Sequence, residues 1–203
     1  MERDPTSISS SSGGRSKKVS IYHEKNRLQF CLLHALNNLF QEKDCFSREE
    51  LDAIAIKLSD NDPNERKTWT PLSLVLKPHH NVFTGNYNVD VLIAALESRK
   101  RSLVWHDRRN KVSSIWNDGD LPPKREGFLG GFILNVPVRK MGGLWKSRHW
   151  IALQRIDGVW YNLDSDLSIP RAFEEKEQLM EFLDNAIAHG GELFVIWDRQ
   201  LPP

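Results

Sequence analysis

The spacing of apolar residues changes near residue 100, and this change constrains the fold more than any other feature of the sequence. Before it, apolar residues recur every three or four positions, which predicts helices over 31–41, 47–59 and 89–97. After it, short β-branched and aromatic runs predict strands over 102–106, 127–136, 150–156, 159–163 and 192–198. One further helix is predicted over 174–188. Helices followed by strands indicate an α+β fold and not alternating βαβ units.

The composition fits one globular domain preceded by a tail. The chain has 203 residues, of which 39% are hydrophobic and 27% are charged. Residues 1–20 are rich in serine and glycine, so we expect a disordered tail there and a single domain over 21–200.

Charge and cysteine content argue against several classes of protein. A formal net charge of +1 is not typical of a protein that coats nucleic acid or an anionic membrane. The longest apolar runs have about five residues, whereas a membrane-spanning helix needs about 20, and the N-terminus has no apolar signal segment. Two cysteines form no disulfide framework, so we expect a cytoplasmic or nuclear protein.

The dipeptide Asp157-Gly158 predicts a tight β-hairpin, because it is favoured in type I′ turns and stands between two predicted strands. The pairs that a two-residue loop produces are Ile156–Val159, Leu153–Asn162 and Ile151–Asp164. In this register His149 and Asp164 are diagonal neighbours on one face, with Cβ atoms about 7–8 Å apart. The hairpin therefore predicts an imidazole–carboxylate pair.

Cys31 is the candidate nucleophile that could turn this pair into a triad. It stands at the predicted start of a helix, where the helix dipole stabilises a thiolate. Each part also has a structural explanation, since a cysteine on an apolar helix is usually a core residue and a His–Asp pair in a hairpin is usually structural. The spacing of these residues alone leaves the catalytic and the structural interpretation about equally open.

Two blocks of sequence resemble the Josephin family of ubiquitin-specific cysteine proteases. They are IYHEKNRLQFCLLHALNNLF over 21–40 and HWIAL over 149–153 followed by WYNLDS over 160–165. The resemblance covers about residues 21–200, and the length is most similar to the short Josephin-like proteins. It implies a papain-like fold in which N-terminal helices, including a helical arm, pack on a mainly antiparallel sheet. It also implies thiol-dependent hydrolysis of isopeptide bonds at the ubiquitin C-terminus.

Carried over by position, the resemblance makes Cys31 the nucleophile, His149 the general base and acid, and Asp164 the residue that orients His149. The family usually has Gln five residues before the nucleophile as an oxyanion donor, and this chain has Asn26 there. Asn keeps the NH₂ donor but is shorter by one methylene group. We therefore expect an active deubiquitinase. The alternative is a catalytically weak or inactive ubiquitin-binding module of the same fold.

Other residues have less specific roles. Trp150 follows the base and either walls the cleft or packs in the core, whereas Trp69 lies in the region that corresponds to the helical arm and could contact ubiquitin. Tryptophans in strand patterns, such as Trp105, are expected in the core. His23, Cys31 and His34 lack a second ligand pair, so no metal or cofactor is expected.

The expected partners are ubiquitin and its conjugates. Basic clusters over 98–102 and 108–111 are expected to form solvated faces, with salt-dependent nucleic-acid binding as a weaker alternative. The expected protein is a monomer that binds no nucleic acid and has no integral membrane association.

Overall fold

The computed structural model describes residues 7–8, 19–25, 30–60, 76–77, 80–81, 86–116, 128–140 and 145–198. The helices are α1 (Cys31–Phe40), α2 (Arg48–Asp60), α3 (Val89–Ser98) and α4 (Lys176–Ala188), and a 3₁₀ turn covers Val112–Trp116. The strands are β1 (Ser7–Ile8), β2 (Val19–Ser20), β3 (Leu76–Lys77), β4 (His80–Asn81), β5 (Asn86–Tyr87), β6 (Arg101–Trp105), β7 (Phe128–Lys140), β8 (Trp145–Ile156), β9 (Val159–Asn162), β10 (Arg171–Phe173) and β11 (Glu192–Asp198). In these ranges no helix combines the length and the apolar character needed to cross a membrane.

Six strands form the central sheet in the order β10-β9-β8-β7-β11-β6, and every neighbouring pair is antiparallel. This arrangement confirms the predicted α+β fold with a mainly antiparallel sheet. Two small sheets, β1-β2 and β3-β4-β5, stand apart from it in the chain. The predicted disordered tail and helical arm fall largely on residues outside the described ranges, and so does Trp69.

Helices cover both faces of the central sheet. One core cluster joins α1, α2 and α3 to side chains such as Ile133, Ala152 and Phe194. The other joins α4 to side chains such as Phe132 and Leu153 from the same strands. Because neighbouring residues of a strand point to opposite faces, each central strand supplies both clusters.

The ends of the helices follow their residue types. Ser47 Oγ accepts a hydrogen bond from the Glu50 N–H at 3.2 Å before α2, as the predicted capping box requires. Asn88 Oδ1 accepts one from the Val91 N–H at 3.2 Å at the start of α3. After α4, Gly190 has a φ of 87°, a left-handed conformation that ends the helix.

The predicted hairpin is present between β8 and β9. Asp157 and Gly158 have φ values of 47° and 85°, as a type I′ turn requires. The observed ladder includes the predicted pairs Ile156–Val159 and Leu153–Asn162. The third predicted pair lies beyond the end of this ladder, where the Leu163 N–H still donates to the Ala152 carbonyl at 2.9 Å.

Several features differ from the sequence predictions, among them the two-residue strands β1 to β5, which the sequence did not predict. Strand β10 was not predicted, because three residues are too few to show a period. Strands β7 and β8 extend into polar residues, and Pro137 is tolerated because β7 pairs only with β8 beyond its contact with Glu192. The expectation that Trp105 is a core residue is wrong. Its side chain is 53% exposed at the end of the edge strand β6, although its ring contacts Phe194 at a centroid distance of 5.0 Å.

Strand β7 has a β-bulge where its register with β11 shifts, between the pairs Ile196–Gly131 and Trp197–Leu129. The two glycines at this bulge give a test of the fold. Gly131 has a φ of 134°, and a Cβ there would lie 2.8 Å from the Leu153 carbonyl oxygen. At Gly130 the closest atom to a Cβ would be 3.4 Å away. We expect Gly131→Ala to lower the free energy of unfolding by about 2–4 kcal/mol and Gly130→Ala by less than about 1 kcal/mol. Chemical denaturation followed by circular dichroism measures both free energies of unfolding. Equal losses would contradict the argument that the backbone at Gly131, and not at Gly130, requires glycine.

Candidate active site

Cys31 is the first residue of α1, and its side chain is 4% exposed. The residue before it, Phe30, makes no side-chain cap, and the first turn of α1 contains no acidic residue. Helices α2 and α3 differ, because Ser47 and Asn88 cap them and acidic residues occupy their first turns. The positive end of the α1 dipole is therefore left for the Cys31 side chain.

His149 lies on β8, is 8% exposed and donates from Nε2 to Asp164 Oδ1 at 2.6 Å. Burial lowers the pKa of His149. Hydrogen bonds with Asp164 and with Cys31, together with the charges of both groups, outweigh burial and raise this pKa to about 10. The imidazole is therefore an imidazolium at neutral pH and lies between a carboxylate and a thiol, which is the arrangement that a thiolate–imidazolium pair requires.

Asp164 lies two residues after the end of β9, and its N–H, its carbonyl and its carboxylate oxygen Oδ1 all form hydrogen bonds. Its N–H donates to Asn162 Oδ1, and its carboxylate Oδ1 accepts from the Asp166 N–H, both at 2.9 Å. Its carbonyl accepts from the Leu167 N–H at 3.0 Å and from His23 Nε2 at 2.9 Å. The structure thus brings together Cys31, His149 and Asp164, the three residues that the sequence singled out.

Asn38 joins α1 to both chain segments that flank the site. It is fully buried, and its Nδ2 donates to the Leu163 carbonyl at 2.9 Å and to the Glu24 carbonyl at 3.2 Å. Its Oδ1 accepts from the Glu24 N–H at 2.6 Å. One buried amide therefore fixes the helix of the nucleophile against the residue that precedes Asp164.

Glu24 adds a second set of contacts on the same helix. Its carboxylate accepts from His34 Nδ1 at 2.7 Å and from Asn37 Nδ2 at 3.1 Å, and also from the Tyr22 hydroxyl. Burial raises the pKa of Glu24, but these hydrogen bonds outweigh it and hold the pKa below its usual value. Glu24 is thus a carboxylate that anchors residues 22–24 to α1.

The sequence analysis did not predict this network. The available signal was the pair Asn37-Asn38 inside a helical pattern, where Asn is a poor helix former. A buried Asn in such a place needs hydrogen-bond partners, but their identity depends on the tertiary fold. The partner Leu163, which follows β9, is 125 residues away in the chain.

The histidines near Cys31 bind protein groups. His23 contacts the Asp164 carbonyl and His34 contacts Glu24. A different group, His149, Asp164 and Asp166, offers ligand atoms within 4.8 Å of one another. Two of these groups already bond each other, because His149 Nε2 donates to Asp164 Oδ1 at 2.6 Å.

The remaining predicted site residues have different positions. Trp150 is 3% exposed, packs in the core and donates from Nε1 to the Tyr87 carbonyl at 3.2 Å. Trp150 lines a groove of about 850 Å³, but it contributes little exposed surface to that groove. The structure therefore favours the core interpretation over a substrate contact. Asn26 and Trp69 lie outside the described residues, and their roles stay predictions.

The expectation of a solvated basic face is wrong for two of the arginines in 98–102. Arg99 donates to the Cys45 carbonyl at 2.9 Å and pairs with Glu50 at 3.0 Å. Arg101 is 13% exposed, pairs with Asp198 and lies 3.9 Å above the Phe40 ring. These two charges contact groups of the same chain.

Comparison with known proteins adds to this geometry. A family model described as Josephin matches residues 26–197. A Josephin-like protein of Arabidopsis thaliana is 57% identical over 169 residues, which cover 83% of this chain and 45% of that protein. Josephin-2 of Mus musculus is 39% identical over 87% of this chain and 85% of its own length. Ataxin-3 of Homo sapiens is 26% identical over 87% of this chain and 45% of its own length. The chain thus spans less than half of the Arabidopsis protein and of ataxin-3.

The charge balance around His149 can be tested directly. Asp164→Asn removes the carboxylate at 2.6 Å, so we expect the pKa of His149 to fall from about 10 by about 1–3 units. Asp166→Asn is the matched control, because that carboxylate lies 3.7 Å away on a side chain that is 59% exposed, and we expect a much smaller fall. NMR titration of the His149 ring measures both, and equal effects would contradict the assignment of Asp164 as the main charged partner.

Proposed function

The chain belongs to the Josephin family of cysteine-protease deubiquitinases with a papain-like α+β fold, and on that premise we propose that it hydrolyses isopeptide bonds at the C-terminus of ubiquitin. The observation that carries the proposal is His149, whose Nε2 donates to the Asp164 carboxylate at 2.6 Å and whose pKa is raised by both Asp164 and Cys31. The proposed roles are nucleophile for Cys31, general acid and base for His149, and orienting group for Asp164.

The first chemical stage is acylation of Cys31. Because Nε2 of His149 is bonded to Asp164, Nδ1 is the nitrogen that exchanges a proton with the thiol. The thiolate attacks the carbonyl carbon of the terminal Gly, and an S–C bond forms. As the C–N bond breaks, the imidazolium gives its proton to the leaving lysine amine, and ubiquitin remains on Cys31 as a thioester.

The second stage is hydrolysis of the thioester. Neutral His149 takes a proton from a water molecule, whose oxygen attacks the thioester carbonyl. The C–S bond breaks, the thiolate returns, and ubiquitin leaves with a free carboxylate. In both stages the negative oxygen faces donors at the start of α1, where the Cys31 N–H has no partner within the helix.

The low exposure of Cys31 favours a substrate that is narrow near the reacting carbonyl carbon. At 4% exposure the thiol has a narrow approach, and an extended tail that ends in Gly-Gly has no side chains near the reacting carbon. Ubiquitin conjugates are therefore the proposed partners. We place the protein in the cytoplasm or the nucleus, where its two free cysteines stay reduced.

The proposal predicts a specific covalent adduct. Ubiquitin with a thiol-reactive C-terminal electrophile should add once to the protein and once to Cys45→Ala, but not to Cys31→Ala. Cys45 is the matched control, because it is the other cysteine of the chain and burial raises its pKa. Intact-mass spectrometry measures the adduct, and labelling of Cys31→Ala would show that another residue is the nucleophile.

The second candidate function is a ubiquitin-binding module of the same fold that cleaves little. The observation that favours it is Asn26, which stands where the family usually has an oxyanion-donating Gln. If the shorter side chain limits catalysis, Asn26→Gln should raise kcat by about tenfold or more, since loss of one oxyanion donor costs about 10²–10³ in rate. Steady-state hydrolysis of a fluorogenic ubiquitin amide measures kcat, and an unchanged value in an active enzyme would remove the reason for this alternative.

A further inference from the structure

His23 contacts Asp164, the site residue that lies beyond the end of the β8–β9 ladder. Its Nε2 lies 2.9 Å from the Asp164 carbonyl oxygen, across 141 residues of sequence. The β8–β9 ladder ends at Asn162, so Asp164 depends on local turns and on this contact for its position. A change in its backbone would move the carboxylate that bonds His149.

The chemistry of this contact specifies the state of His23. A carbonyl oxygen only accepts, so Nε2 must carry the proton. Burial lowers the pKa of His23, as does the charge of Lys25, whereas the hydrogen bond with Asp164 and the charges of Asp164 and Glu24 act in the opposite direction. The net effect is a lower pKa, so His23 is a neutral Nε2–H imidazole at neutral pH.

The segment that carries His23 is itself fixed to the helix of the nucleophile. The next residue, Glu24, bonds Asn38 through its backbone and His34 through its carboxylate, and both partners lie on α1. Tyr22 exchanges two backbone hydrogen bonds with the Gln41 side chain, each at 3.1 Å. His23 therefore contacts Asp164 from a segment that is fixed to α1, the helix that carries Cys31.

We propose that His23 is a positioning residue: its Nε2–H holds the Asp164 backbone so that the Asp164 carboxylate stays on His149 while Cys31 is held in register by the same segment. The inference rests on the proposed function, because it assigns His23 a part in the chemistry of that site. His23 touches no reacting atom in this scheme and acts only through Asp164. Its effect should therefore appear in the properties of His149.

The test compares two amide variants of His23. The amide nitrogen of Gln in His23→Gln can take the place of Nε2, whereas that of Asn in His23→Asn is one methylene short and cannot reach the Asp164 carbonyl. NMR titration reports the pKa of the His149 ring in each variant without any ubiquitin, and loss of one resonance in His149→Gln assigns the signal among seven histidines. Hydrolysis of a fluorogenic ubiquitin amide then gives kcat and KM for the same proteins.

We expect His23→Asn to lower the pKa of His149 by about one unit or more and to lower kcat with little change in KM, and His23→Gln to restore both. Among the residues that the structure describes, Asp164, Asp166 and Cys31 act on His149, and none of them is altered in these variants. An unchanged His149 pKa in folded His23→Asn overturns the proposal. So does an equal fall in both variants, because a purely structural role for the ring explains it.

The two proposals fail in distinguishable ways. If the His149 pKa responds as expected but the wild-type protein neither hydrolyses nor is labelled by ubiquitin probes, the positioning role stands and the substrate is wrong. If ubiquitin is hydrolysed but the His149 pKa is the same in the wild type and His23→Asn, the substrate stands and the positioning role is wrong. Thermal unfolding of both variants shows whether each is folded, and if His23→Asn unfolds, a lower His149 pKa in His23→Gln decides against the proposal.

Discussion

The buried amide of Asn38 is the interaction on which the site depends. A fully buried amide must satisfy its donors and its acceptor within the protein, and Asn38 does so with groups from two distant segments. Those hydrogen bonds fix α1 against residues 22–24 on one side and against the end of β9 on the other. Cys31 and Asp164 lie far apart in the sequence, and their relative position follows from this one side chain and its neighbours.

The start of α1 lacks the stabilising groups that the other two N-terminal helices have. Helix α1 begins without a side-chain cap or a first-turn acid, whereas α2 and α3 have both. A missing cap costs about 1 kcal/mol of helix stability. In return, the N–H groups and the dipole of α1 are available to the Cys31 sulfur and to a negative oxygen beside it. Burial of α1 against the sheet, with Leu32, Leu36 and Leu39 fully buried, offsets that cost.

Much of the fold could be predicted because its signals are local. Asp157-Gly158 specifies a turn type, and the turn specifies the register of β8 and β9. Asp164 lies just beyond that ladder, and local hydrogen bonds complete its approach to His149. Periodicity likewise predicts the helices to within one or two residues. The misses have tertiary causes: Arg101 is buried because Phe40 and Asp198 surround it, Trp105 is exposed because β6 is an edge strand, and the role of Asn38 needs a partner 125 residues away.

In the mechanism that we propose, the two partners of His149 let one imidazole act first as an acid and then as a base. Before the reaction, the hydrogen bonds and charges of Asp164 and Cys31 outweigh burial and hold the pKa of His149 at about 10, so the ring keeps a proton for the leaving amine. Acylation converts the thiolate into a neutral thioester and removes one of those two charges. The pKa of His149 must then fall, because burial still opposes the charged form and only Asp164 supports it. The ring that has just given up its proton therefore becomes neutral at the stage when a water molecule needs a base. The hydrogen bond with Asp164 then determines how far the pKa of His149 falls. The position of the Asp164 carboxylate, which the surrounding chain fixes, therefore affects the second stage of the proposed reaction.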